Sequence, residues 1–149
     1  MSQPSTRQAA DHRSDYFFFA PITTRWMDND VYGHINNVTY YSYFDTVVNS
    51  YLIAQGGLDI HKGDTVGFVV NSGCSYFSPI AYPDNIEGAL RINKLGNSSV
   101  EYAIAIFKQG SPTAVAQGHF VHVFVDRESN TPCPIPAQLR AALQKIQIK

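Results

Sequence analysis

The stretch NNVTYYSYFDTVVNSYLIAQGG, residues 36–57, constrains the fold more than any other part of the chain. Tyr40, Phe44, Val47, Val48, Tyr51 and Leu52 recur at steps of three and four, the spacing of one helical face. They predict an amphipathic helix of about five turns. Asn36 or Asn37 suits its N-cap, because a short side-chain oxygen there can accept from a free backbone N–H. Gly56 and Gly57 mark its end, since glycine takes the left-handed conformation without strain. Aromatic side chains stand on most of the remaining sides, so the helix needs a partner that covers it widely.

The flanking sequence supplies one. YFFFAPITTRW (16–26) is rich in strand formers, and Pro21 hints at an edge or a bend. After a loop at 57–65 come four strand-like runs: 65–80, 84–96, 98–110 and 113–126. Gly67 and Gly73 suggest a bend or bulge in the first of these. Ile86, Leu90 and Ile92 share a face of the second by alternation. Gly96-Asn97 signals a tight turn between the second and third. PIPAQLRAALQK predicts a short closing helix with Pro136 near its start. The order strand, long helix, four strands in a meander predicts an α+β fold, one antiparallel sheet curled around a long central helix. Residues 1–15 are polar and read as a mobile tail, leaving 16–149 as the domain.

Composition excludes several classes. With 44 % apolar and 15 % charged residues, the 149-residue chain fits one globular domain rather than a disordered segment. Nine Tyr and nine Phe favour sheet surfaces and an apolar pocket. A formal net charge of −1 leaves no electrostatic footprint for nucleic acid. The N-terminus has no apolar core of the kind a secretory signal requires, and YFFFA is too short to span a membrane. Cys74 and Cys133 form neither a CxxC pair nor a zinc pattern. These features together indicate a cytoplasmic protein.

The loop WMDNDVYGHINN, ahead of the helix, concentrates the polar chemistry. It begins like a calcium loop, but Tyr32 and Thr39 stand where further oxygen ligands are required. Asp28, Asp30 and His34 could approach a transition metal, yet no second histidine lies at helical spacing from any of them. His119 and His122, three apart in a strand, point to opposite faces. No metal and no other cofactor is expected. Serine-hydrolase, phosphate-loop and dinucleotide motifs are absent. What remains is a carboxylate beside a helix N-terminus. The first-turn N–H groups are unpaired and partly positive and can hold an oxyanion, while a nearby carboxylate attacks or activates water. A capped, acid-rich turn with no chemistry is the alternative.

The motif DNDVYGHINNVTY fits the pattern D-x-D-x-x-G-H-x-N-N-x-x-Y and resembles the signature of hot-dog-fold thioesterases of the 4-hydroxybenzoyl-CoA thioesterase family. SGCSYFSPIAYPDNIEG, LGNSSVEYAIAIF and GHFVHVFVD also look like that family, and the similarity spans about residues 17–140. The resemblance implies an acyl-CoA thioesterase that releases a free acid and coenzyme A. It places the catalytic carboxylate at Asp30 and the carbonyl-polarising amide at Asn37. Asp28, Gly33, His34, Asn36 and Tyr40 match motif positions that shape the loop, cap the helix and line the pocket. Val31 departs from the pattern, where Pro or Ala is frequent. The family also implies a homodimer or homotetramer with the site at the subunit interface, to which Phe68, Val70 and Tyr76 of a second copy would contribute. Arg91, Lys94 and Lys108 are candidates for the coenzyme phosphates. A hot-dog hydratase or dehydratase and a non-catalytic acyl-CoA-binding protein are the competing functions.

Overall fold

In the computed structural model, which describes residues 8–148, helix α1 spans Asn37–Ala54. Asn36 is its N-cap, with the side-chain oxygen accepting from the Val38 N–H at 3.2 Å. The chain leaves the helix through Gln55 and turns at Gly57, whose φ is +70°. Tyr40, Tyr43, Phe44, Val47, Val48, Tyr51 and Leu52 form a buried stripe. Ser42, Asp45, Thr46 and Ser50 stand exposed on the opposite side. The helix is therefore one-sided, not apolar all round: it lies on a sheet face, and its polar face remains in solvent.

The strands are β1 (Phe18–Thr23), β2 (Thr65–Tyr76), β3 (Asn85–Leu95), β4 (Ser99–Lys108) and β5 (Ala116–Asp126), followed by helix α2 (Ala137–Gln144). They form one antiparallel sheet in the order β1-β3-β4-β5-β2. This is the hot-dog arrangement of a five-stranded sheet around a long helix. The expected four-strand meander is correct only for β3-β4-β5. β2 crosses to the far edge and pairs with β5. Side-chain character accounts for the change. β4 is buried along most of its length and β3 at Ile86, Gly88, Ala89, Leu90 and Ile92, which suits the centre, whereas β2 has no buried residue and suits an edge. At the other edge Pro21 occupies β1, where a missing N–H costs nothing inward.

The single register shift in β2 falls between Val69 and Asn71, not at either glycine. Gly67 and Gly73 instead face cross-strand imidazoles: a Cβ at Gly73 would meet the His119 ring at 2.7 Å. His119 and His122 do lie on opposite faces of β5, the first half-exposed and the second buried against α1.

The main core fills the space between α1, α2 and the sheet, with Phe44, Leu52, Leu90, Ile92, Tyr102, Ile104, Ile106 and Phe124 fully buried. A smaller cluster of Tyr16, Ala89, Ala103, Ala105, Phe107 and Ala114 covers part of the outer face. This second cluster corrects the expected mobile tail. Asp11–Asp15 is docked: Arg13 pairs with Glu87 at 2.7 Å, Asp11 with Arg91 at 3.6 Å, and the Tyr16 hydroxyl donates to Asp11 at 2.7 Å. The apolar faces of Tyr16 and Phe107 draw the segment onto the sheet. Residues 1–7 of the expected tail lie outside the described residues.

Candidate active site

The loop between β1 and α1 is built from two turns. A single helical turn at Trp26–Asp28 ends with Asp28 facing inward. The Asp28 carboxylate is 1 % exposed and accepts from the Tyr43 hydroxyl at 2.7 Å, the Arg25 N–H at 2.9 Å and the Arg25 guanidinium at 3.0 Å. Burial alone would raise its pKa, but these donors outweigh burial and hold the carboxyl below its ordinary value. Burial, and then the same hydrogen bond, push the Tyr43 hydroxyl up. Asp28 also fixes the helix start, because its carbonyl accepts from the Asn36 N–H at 2.9 Å.

The second turn, Asp30–His34, folds outward as a small hairpin closed by the Asn29–Ile35 bridge. The Gly33 N–H donates to the Asp30 carbonyl, and the Asp30 N–H donates to the His34 carbonyl. Gly33 has φ +84°, the left-handed conformation that this turn requires and that β-carbon residues resist. Asp30 Oδ1 accepts from the Tyr32 N–H at 2.9 Å and the His34 N–H at 3.4 Å. Among the described residues nothing donates to Oδ2. The carboxylate is thus anchored on one oxygen and open on the other.

Asp30, Tyr32, His34, Asn37, Tyr40 and Tyr76 line one open pocket of about 440 Å³, completed by Ile35 and the segment Phe77–Pro79. No residue described here accepts from the Asn37 N–H, the first amide of α1, so it keeps its hydrogen free at the positive end of the helix dipole. Tyr40 and Tyr76 pack edge to face at 5.1 Å, and burial pushes the Tyr40 hydroxyl up to about 12. The Tyr76 hydroxyl lies 3.3 Å from the Asn37 carbonyl. Such a pocket offers a water-activating or attacking carboxylate, an unpaired amide for an oxyanion, and aromatic walls.

Of the residues singled out in the sequence, Asp30, His34, Asn37, Tyr40 and Tyr76 come together in this pocket. Tyr76 comes from the same chain and not from a second copy as expected, because the end of β2 lies against the start of α1. Gly33 and Asn36 shape it from outside, one in the turn and one at the cap. Phe68 and Val70 lie elsewhere, half-exposed along β2. Arg91 is engaged with Asp11, Asn93 and the Asp15 carbonyl, and Lys108 pairs with Asp84 at 3.7 Å. Phe77, Ser78 and Pro79 escaped sequence reasoning. They reach the site because the Ile35 N–H bonds the Ile80 carbonyl at 2.8 Å, a contact between segments with no shared periodicity.

Trp26, Met27, Val31 and Tyr32 of the loop and Val38 in the first turn of α1 are all at least 70 % exposed, an apolar rim of unusual extent on the segment that carries Asp30. No helix among the described residues is long and apolar enough to cross a membrane.

Comparison with known proteins bears on the family and the fold. The PA5185 protein from Pseudomonas aeruginosa strain PAO1 is 55 % identical, with a TM-score of 0.92 over 93 % of this chain and 97 % of that one. YsmA of Bacillus subtilis (strain 168), itself uncharacterized, is 26 % identical over 118 residues, 78 % of each chain. Slr0204, a 1,4-dihydroxy-2-naphthoyl-CoA thioesterase from Synechocystis, shares the fold at 17 % identity, with a TM-score of 0.78 over 87 % of this chain and 96 % of that one. The model of the Thioesterase-like superfamily matches residues 24–143, from the first turn of the loop through α2. This chain therefore belongs to the Thioesterase-like superfamily and is a thioester hydrolase of the hot-dog fold.

Proposed function

We propose that the substrate is an acyl-CoA thioester, cleaved to a free acid and coenzyme A with Asp30 as the catalytic carboxylate. The observation that carries this is the open Oδ2 edge of Asp30 and the free Asn37 amide in one pocket. A thioester carbonyl placed between them has its oxygen on the amide and its carbon toward the carboxylate. As the carbon becomes tetrahedral, negative charge builds on that oxygen, where the helix terminus stabilises it. The C–S bond then breaks and coenzyme A departs with its sulfur.

Two routes use this geometry. Asp30 takes a proton from water, hydroxide adds to the carbonyl carbon, and the proton passes to the departing sulfur. Alternatively Oδ2 attacks directly, giving a mixed anhydride that water then opens. A single turnover in ¹⁸O-labelled water separates them, since only the anhydride route can leave label in the Asp30 side chain. A panel of short, long and aromatic acyl-CoAs, with free thiol detected, tests the function itself. Absence of thiol release across the panel would reject acyl-CoA as the substrate class.

The enzyme acts as a homodimer or homotetramer. β2 has a neighbour on one side only, so its other edge offers unpaired backbone groups beside the exposed Phe68 and Val70. Antiparallel pairing of two copies about the middle of β2, near Val70 and Asn71, sets Tyr76 of one across from the Thr65 end of the other. Each Asp30 pocket then borders the second copy, and the apolar rim gains a cover. A stable monomer at micromolar concentration in sedimentation would reject this assembly. Both cysteines are unpaired thiols, which supports a reducing, cytoplasmic setting.

A further inference from the structure

A second cavity, of about 210 Å³, opens between α1 and the Thr65 end of β2. Leu52, Leu58, Ile60 and Val69 give it apolar walls, and His122 on β5 is its one aromatic residue. Asp45, Asn49 and Thr65 also line it, but Asn49 donates to the Asp45 carboxylate at 3.1 Å and the Thr65 hydroxyl lies 3.9 Å from Cys133 Sγ. That imidazole is 3 % exposed, and its Nδ1 lies 3.0 Å from the Tyr102 hydroxyl. Tyr102 is fully buried, and its hydroxyl has no other partner among the described residues. Its proton must therefore go to Nδ1, because pointing it elsewhere would leave a buried donor unsatisfied. Nε2 then carries the hydrogen of the neutral ring. Burial lowers the imidazole pKa to about 4, which keeps the ring neutral.

Nε2 has no partner among the described residues, and yet no described side-chain nitrogen or oxygen is both sealed off and unpaired. Nε2 is thus reached from the cavity that His122 lines. Gly67 leaves the room for this, since a Cβ there would meet the ring at 3.1 Å. The result is a buried donor with no partner among the described residues, facing a chamber of mixed lining with space for roughly six to eight heavy atoms.

We propose that His122 is a specificity-determining residue, donating from Nε2–H to an oxygen on the acyl group, so that a hydroxylated acyl chain or ring is preferred over its deoxy counterpart. This rests on the acyl-CoA reading and the β2-paired dimer above. That pairing sets the cavity of one copy, at the Thr65 end of β2, beside the Asp30 pocket of the other, at the Tyr76 end. An acyl group leaving the thioester then enters the cavity with its far end toward His122. A hydroxyl satisfies the buried donor, whereas a methylene or ring C–H displaces water from it and leaves it unpaired.

The test compares phenylacetyl-CoA with 4-hydroxyphenylacetyl-CoA, and hexanoyl-CoA with 6-hydroxyhexanoyl-CoA. The wild type is expected to favour at least one hydroxylated member by about 5- to 50-fold in kcat/KM. His122→Phe should bring that ratio below about twofold while turnover of the deoxy partner persists. The double variant Tyr102→Phe/His122→Phe removes both polar partners and keeps the core satisfied should the single variant fail to fold. Equal rates for both members of each pair in the wild type, or a preference that survives the double variant, would overturn the proposal. Imidazole ¹⁵N spectra of the wild-type protein with 4-hydroxyphenylacetate or phenylacetate give an answer independent of catalysis. If no acyl-CoA is hydrolysed, the substrate reading fails by itself. A His122 Nε2 shift with the hydroxylated acid alone would still support the donor role, and no shift with either acid would end it.

Discussion

The inward half of the loop before α1, which carries Asp28, and its outward half, which carries Asp30, hold the same charged group in opposite surroundings. Asp28 is buried and accepts from Tyr43 and Arg25, so its charge is matched by donors on both oxygens. Asp30 is half-exposed, with one oxygen engaged by backbone and the other open to a pocket. A carboxylate with every lone pair occupied stabilises a fold but has nothing to offer a substrate. One left partly unsatisfied beside an unpaired helix amide has an oxygen free for a substrate, which is the role proposed for Asp30. On the mechanism proposed above, the loop separates anchoring from chemistry over a distance of two residues.

The largest effect should come from Asp30→Asn. The amide keeps the size of the side chain and its anchor to the Tyr32 N–H, but it can neither attack a carbonyl nor take a proton from water. Turnover of an accepted acyl-CoA is expected to fall by at least about a hundredfold, with the melting temperature nearly unchanged. A folded Asp30→Asn enzyme with near-normal turnover would remove Asp30 from the mechanism.

Asp28→Asn should show the reverse pattern, a loss of stability with a milder loss of turnover. The amide places a donor where the structure already supplies donors, at a cost of about 1–3 kcal/mol. That cost should depend on pH. A carboxyl held below its ordinary value of 3.8 stabilises the fold fully above that value, and the contribution fades as pH falls through the lower, folded-state pKa. The stability gap between wild type and Asp28→Asn in denaturant titrations should be widest near neutrality and should close in acid. A gap that grows in acid would mean that Asp28 is not held ionised by its partners.

Tyr43→Phe sharpens the same point by removing one donor and leaving the carboxylate. The expected cost is ~1.5 kcal/mol, or a drop of about 3–6 °C in Tm for a chain of this size. The acid limb of stability should also move to higher pH, because a donor that lowers the Asp28 pKa is gone. The smallest effect should be that of Gly33→Ala. A Cβ there meets nothing within 4 Å, so the change reports backbone strain alone, about 1 kcal/mol for a left-handed residue. Because Gly33 closes the turn that orients Asp30, turnover should fall by about threefold or more as the carboxylate shifts. An unchanged turnover would show that the outward turn need not be rigid.

Much of this molecule was written in local pattern. The α1 stripe, the cap at Asn36, the exit at the glycines and the strand-rich runs follow from periodicity and backbone preference, which act over a few residues. The motif around Asp30 was legible for the same reason, since its turn, cap and helix are contiguous. Three things had no local signature. The placement of β2 beside β5 depended on which strands could be buried on both faces. The docking of Asp11–Asp15 depended on an apolar patch assembled from β3, β4 and the β4–β5 connection. The pocket walls at Phe77–Pro79 depended on one backbone bond from Ile35 to Ile80.

By itself, then, the sequence determined the elements, their order and the acid-rich turn at a helix start, because these are set by covalent neighbours and short-range hydrogen bonding. Only the tertiary structure decided which of two nearby carboxylates is sealed and which is open. It also decided that His122, which the sequence showed only as a strand histidine, ends buried beside a cavity and against the Tyr102 hydroxyl. Burial and pairing belong to groups that meet in space from distant parts of the chain, and no spacing along the chain records them.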